Sequence, residues 1–111
     1  MKITCLQPSI VLIEERKQGQ CIPVNSRSRV SALIRDAVEK KQRLHAHRDE
    51  RLEYVEVRLF VKPGTSRRKD VRALLFQFQY PNGKKEEVLY TIKTDPTLRL
   101  EETHQELSDF Q

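Results

Sequence analysis

With 111 residues, 37% of them apolar and 33% charged, the chain is sized for one domain with its own core, and its 3 Gly and 5 Pro argue against a disordered tail. No apolar run approaches the roughly 18 residues that span a bilayer, which excludes a conventional transmembrane helix and leaves no membrane partner in view. The net charge of +5 is unevenly laid out: residues 95–111 hold five carboxylates against Arg99 alone, so the basic charge lies in the rest of the chain.

In chain order, MKITCLQPSIVLIEER opens with an apolar patch that Pro8 interrupts and Glu14–Glu15 close. It shows no small-residue cleavage site, so a signal peptide is not expected, the location reads as cytoplasmic, and Cys5 and Cys21 read as reduced thiols. SIVLIEE, 9–15, is β-branched and apolar and predicts a strand. Gly19 marks a turn, and CIPV, 21–24, predicts a short returning strand kept at an edge by Pro23, which has no amide to donate.

The segment 26–47 predicts a helix. Val30, Leu33, Ile34, Ala37, Val38 and Leu44 recur at helical spacing, with Lys41 as the one charged member of the stripe. Asn25, Ser26 or Ser28 offers a short side-chain oxygen to cap free amides of the first turn. Three strands follow. LEYVEVRLFVK alternates Val55, Val57, Leu59 and Val61 with Tyr54, Glu56, Arg58 and Phe60. After the 62–70 loop, VRALLFQFQY sets Leu74, Phe76, Phe78 and Tyr80 on one face, and Asn82–Gly83 supplies a tight turn into EVLYTIKT. Asp95–Pro96 predicts the start of a last, short helix carrying Leu100, His104, Leu107 and Phe110. The whole is a single α+β domain over 1–111 in the order β-β-α-β-β-β-α, an antiparallel sheet with the 26–47 helix packed on one face.

No catalytic signature is present: there is no Gly-rich phosphate loop, G-x-S-x-G or H-E-x-x-H. His45 and His47 stand two apart, not at zinc-ligand spacing, so neither a metal nor any other cofactor is expected. The expected activity is non-enzymatic. Arg27, Arg29 and Arg35 at the start of the helix and Arg67, Arg68 and Lys69 in the long loop are the candidate phosphate contacts to DNA or RNA, because binding gains from cations collected on one side. Phe76, Phe78 and Tyr80 would stack bases only if their strand face were open; alternation on a central strand favours core. The alternative is an accessory subunit, adaptor or inhibitor acting through protein contacts, for which an open sheet edge would serve.

The stretch NSRSRVSALIRDAV, 25–38, resembles the second helix of ribbon-helix-helix DNA-binding proteins, with Ser31-Ala32-Leu33-Ile34-Arg35-Asp36-Ala37 as the matching core. KITCLQP is similar to that family's N-terminal ribbon ending in proline. The resemblance implies a dimer, a regulatory role, base contacts from Lys2, Thr4 and Leu6, and a phosphate held at Ser26 to Arg29. It leaves the strand-rich half of the chain without a counterpart.

Overall fold

The computed structural model describes residues 9–14, 19–22, 28–45 and 51–103. Six strands and one helix follow in the order β1 (Ser9–Ile13), β2 (Gln20–Cys21), α1 (Arg29–His45), β3 (Tyr54–Lys62), β4 (Val71–Gln79), β5 (Lys85–Lys93) and β6 (Arg99–Glu102). They form one sheet in the spatial order β2-β1-β3-β4-β5-β6.

The sheet is mixed, where the sequence predicted an antiparallel one. β1 runs parallel to β3, with Ile10 beside Val55 and Leu12 beside Val57. The reason is the connection: parallel neighbours need a long crossover, and α1 lies on the path between them. The other pairings are antiparallel: β1 with β2, β5 with β6, and the β3–β4–β5 meander that the alternation foresaw.

Register decides the layers. Ile10, Val55 and Phe78 form one row across β1, β3 and β4, and Leu12, Val57, Phe76 and Val88 form the next, extended onto β5. Together with Leu74, Ile34 and Val38 these residues make the main core, with Phe76, Phe78, Leu74, Val55, Val57 and Ile34 fully buried. The Phe76 ring meets Phe78 at 5.6 Å and Tyr90 edge-on at 5.1 Å, separations at which ring quadrupoles attract.

The helix turns slightly from its expected stripe. Ser31, Ile34 and Val38 are buried, whereas Leu44 is 66% exposed. The amide of Ala32 bonds the Ser28 carbonyl at 3.0 Å, which opens α1 one turn inside the expected boundary. Lys41, the charged member of the stripe, has its own partner in the sheet. Its ammonium lies 5.3 Å above the Phe78 ring and donates to Glu86 at 2.7 Å. The Tyr80 hydroxyl donates to the other oxygen of the same carboxylate at 3.3 Å. With Lys41 only 16% exposed, this contact ties the helix to β4 and β5 more firmly than an open surface pair would.

The expected last helix does not begin at Asp95. Residues 99–102 are instead strand β6, paired with β5 through Tyr90–Glu102 and Ile92–Leu100. Leu100 gains more by extending the apolar face of the sheet than by starting a helix over solvent. The Arg99 guanidinium closes the preceding turn by donating to the carbonyls of Asp95 and Thr97, at 2.9 and 3.1 Å. His104, Leu107 and Phe110 lie outside the described residues. Cys21 is disulfide-bonded rather than a free thiol, and Cys5 lies outside the described residues. No helix among the described residues is long and apolar enough to cross a membrane.

Because the core rests on β4, Phe76→Ala is expected to cost about 3–5 kcal/mol in urea unfolding, whereas Leu44→Ala stays within about 0.5 kcal/mol.

Candidate functional site

Strand alternation sorts the polar residues as strictly as the apolar ones. With Val55, Val57, Leu59 and Val61 facing α1, Lys62 faces away from it, and register carries Val71, Ala73, Thr91, Lys93 and Glu101 to the same opposite face. That face bears a small apolar cluster of Ala73, Leu89, Phe60 and Leu75. Beyond it, at the end of the sheet, lies a cavity of about 460 Å³.

The 62–70 loop forms one wall of this cavity, and the loop is itself an ordered structure. Thr65 and Arg68 form a β-bridge, with the Thr65 amide donating to the Arg68 carbonyl at 2.9 Å and the Arg68 amide returning a bond at 3.3 Å. The Gly64 amide donates to the Asp70 carboxylate at 2.6 Å, and the Arg67 amide to the Thr65 hydroxyl oxygen at 3.2 Å. Gly64 is required by close approach: a Cβ there would run into the Arg68 carbonyl oxygen and lie 2.8 Å from the Asp70 nitrogen. The loop is thus a small hairpin with Ser66 and Arg67 at its tip.

Arg68 and Lys69 from this hairpin, Lys62 from the end of β3 and Lys93 from the end of β5 all line the cavity. Strands β3 and β5 are two spacings apart, so Lys62 and Lys93 stand roughly 10 Å from each other across β4. Four cations at that range repel one another, and the facing wall tempers them with Glu101 and Glu102. Glu101 is already held by Arg99 at 2.8 Å. Among the described residues, Lys62, Arg67, Arg68, Lys69 and Lys93 have no side-chain ion pair or hydrogen bond. The hydroxyls of Thr65, Thr91 and Thr103 complete the polar lining, with Thr91 buried at the base.

The six expected contact residues separate. Arg67, Arg68 and Lys69 belong to this hairpin, with Arg68 and Lys69 on the cavity wall. Arg29 and Arg35 belong to α1, on the other side of the sheet, with Arg29 exposed and Arg35 partly buried. Arg27 lies outside the described residues, as do Ser26, Lys2, Thr4 and Leu6 of the ribbon-helix-helix comparison. Lys62 and Lys93 were absent from the expected set. The signal that could have found them is parity: each is the strand-end residue on the face opposite the valines. Phe76, Phe78 and Tyr80 are buried, with 0, 0 and 3% exposure, so they pack the core and present no face to a base.

The helix side has a second, larger cavity of about 720 Å³, between α1 and the β5–β6 edge. Its lining is amphipathic: Leu33, Leu44, Val88, Tyr90 and Leu100 alternate with charged residues such as Asp36, Lys40, Arg43 and Glu86. Burial, with Glu102 and Glu86 nearby, raises the Tyr90 hydroxyl pKa above the ordinary tyrosine value of 10.0. The neutral phenol is therefore the favoured form in the folded chain, and the stability it contributes fades as pH climbs past 10 toward the raised value.

No family model, curated protein or solved structure matches this chain.

The loop architecture has a direct check. Gly64→Ala is expected to open the Thr65–Arg68 bridge, seen as faster amide hydrogen exchange at Thr65 and Arg68, while the amides of Val57 and Phe76 stay protected. Unchanged exchange at Thr65 and Arg68 would mean the loop does not need the close approach at position 64.

Proposed function

We propose that the chain is a small non-enzymatic nucleic-acid-binding protein that meets phosphates through the 62–70 hairpin and the cavity beneath it. The supporting observation is the convergence of Lys62, Arg68, Lys69 and Lys93 on one concavity without protein partners, in a chain whose first 94 residues carry all but one of its basic residues. Unpaired cations held at close range store repulsion that an incoming polyanion relieves, and each neutralised phosphate also releases condensed counterions. Arg67, exposed at the hairpin tip, extends the same field outward. Arg29 and Arg35 then belong to a separate surface, and a regulatory role of the ribbon-helix-helix kind draws on that surface rather than this one.

A second reading, an adaptor or accessory subunit, is favoured by the helix-side groove. Its lining of Leu33, Leu44, Val88, Tyr90 and Leu100 among charged residues such as Lys40, Arg43 and Glu86 suits an amphipathic segment of another protein, and Leu44 is the larger of two exposed hydrophobics among the described residues. On that reading sensitivity to mutation concentrates at Leu44 and Tyr90, not at the hairpin.

Salt-titrated fluorescence anisotropy with labelled nucleic acid decides between them. Nucleic-acid binding predicts that log K falls linearly with log salt, with a slope of about −0.7 to −0.9 per phosphate contacted, and that Arg67→Glu combined with Arg68→Glu weakens binding by about tenfold or more. Absence of binding to any strand at low salt, or indifference to the double substitution, would remove the reading.

A further inference from the structure

Resting on that reading, we infer that the cavity under the 62–70 hairpin admits one nucleotide of a single strand and is built for single-stranded rather than duplex nucleic acid. The argument begins with size and shape. A concavity of about 460 Å³ falls within the roughly 300–1,000 Å³ that small-molecule sites occupy, so it holds a nucleotide-sized group. A duplex keeps its bases stacked inside a stiff cylinder and offers such a cavity only the outer phosphates. A single strand can turn one nucleotide inward.

The lining divides by chemistry in the way a nucleotide does. Lys62, Arg68, Lys69 and Lys93 supply ammonium and guanidinium groups suited to the phosphate. Glu101 and Glu102 supply carboxylate acceptors, which a phosphate does not want but a sugar hydroxyl or an exocyclic amine does, and the Thr91 hydroxyl can donate or accept. A surface evolved for phosphates alone has no use for carboxylates in the same wall. Their presence beside four cations fits a ligand that is anionic at one end and hydrogen-bond-donating at the other.

The neighbouring surface continues the path. Phe60 lies on the same face as Lys62, two residues back along β3, and packs with Leu75 beside buried Ala73. It is only partly buried, unlike Phe76 and Phe78 on the core side. Ala73, directly across from Phe60 on β4, and Thr91, across from Ala73 on β5, are themselves buried, so in this row the partly exposed Phe60 ring is the surface a base can reach. A base adjoining the one in the cavity can lie on the Phe60 ring, the sequence-tolerant contact that open sheet faces make with single strands.

The experiment compares a short labelled oligothymidylate strand with the same strand annealed to its complement, by anisotropy at matched salt. The single strand is expected to bind about tenfold tighter or more, and Phe60→Ala to remove most of that preference while leaving duplex binding unchanged. Lys93→Glu, at an exposed strand end where folding is not at stake, is expected to weaken the single strand more than the duplex. A thermal melt of each variant establishes that it folds. Equal binding of the two forms, or tighter duplex binding, would overturn the single-strand inference and leave the broader reading standing. No binding of either form would overturn both.

Discussion

The two phenylalanines of β4 set the orientation of the molecule. Phe76 and Phe78 are buried completely, and in a strand only alternate residues can share a face. Once both rings face α1, every neighbour takes its side by register: Val55 and Val57 on β3, Ile10 and Leu12 on β1, and Val88 and Tyr90 on β5 turn the same way. Lys62, Thr91, Lys93 and Glu101 are sent to the opposite face by the same parity. A slip of one residue would expose the phenylalanines and bury lysines, so the register that holds the core also holds the site.

This constraint gives the sheet two different surfaces. The helix side is apolar and is closed over its central strands by α1, with Lys41 anchored on Glu86 over the Phe78 ring. Its margin against β5 and β6 is a cavity lined by apolar and charged side chains together. The far side bears the small apolar cluster of Ala73, Leu89, Phe60 and Leu75 and, at its end, the cations of the 62–70 hairpin and the strand ends, which have no side-chain partner among the described residues.

How much of this was legible in the sequence follows from how local each feature is. The helical stripe around Ile34 and Val38 and the alternation of Val55 to Val61 and Leu74 to Tyr80 are local patterns, and they placed α1 and the β3–β5 meander. The parallel pairing of β1 with β3 depends on a partner more than forty residues away, so nothing near Ile10 announced it. Asp95–Pro96 is a sound helix-start signal, yet Leu100 had an apolar row to join beside Ile92, and tertiary pairing outweighed propensity. The site was half legible. Arg67, Arg68 and Lys69 stood out as a run, but joining them with Arg29 and Arg35 required a shared face, and the sheet lies between. Lys62 and Lys93 are single lysines at strand ends, visible only once parity and register are combined.

On the proposed reading, this far face and not the helix side receives the nucleic acid. Two-dimensional amide NMR during titration with a short single strand distinguishes the two faces residue by residue. Shifts are expected at Gly64, Thr65, Arg68, Lys69, Thr91 and Lys93, with Leu33, Lys40 and Arg43 unmoved. Shifts confined to α1 and the β5–β6 groove, with the hairpin silent, would contradict it.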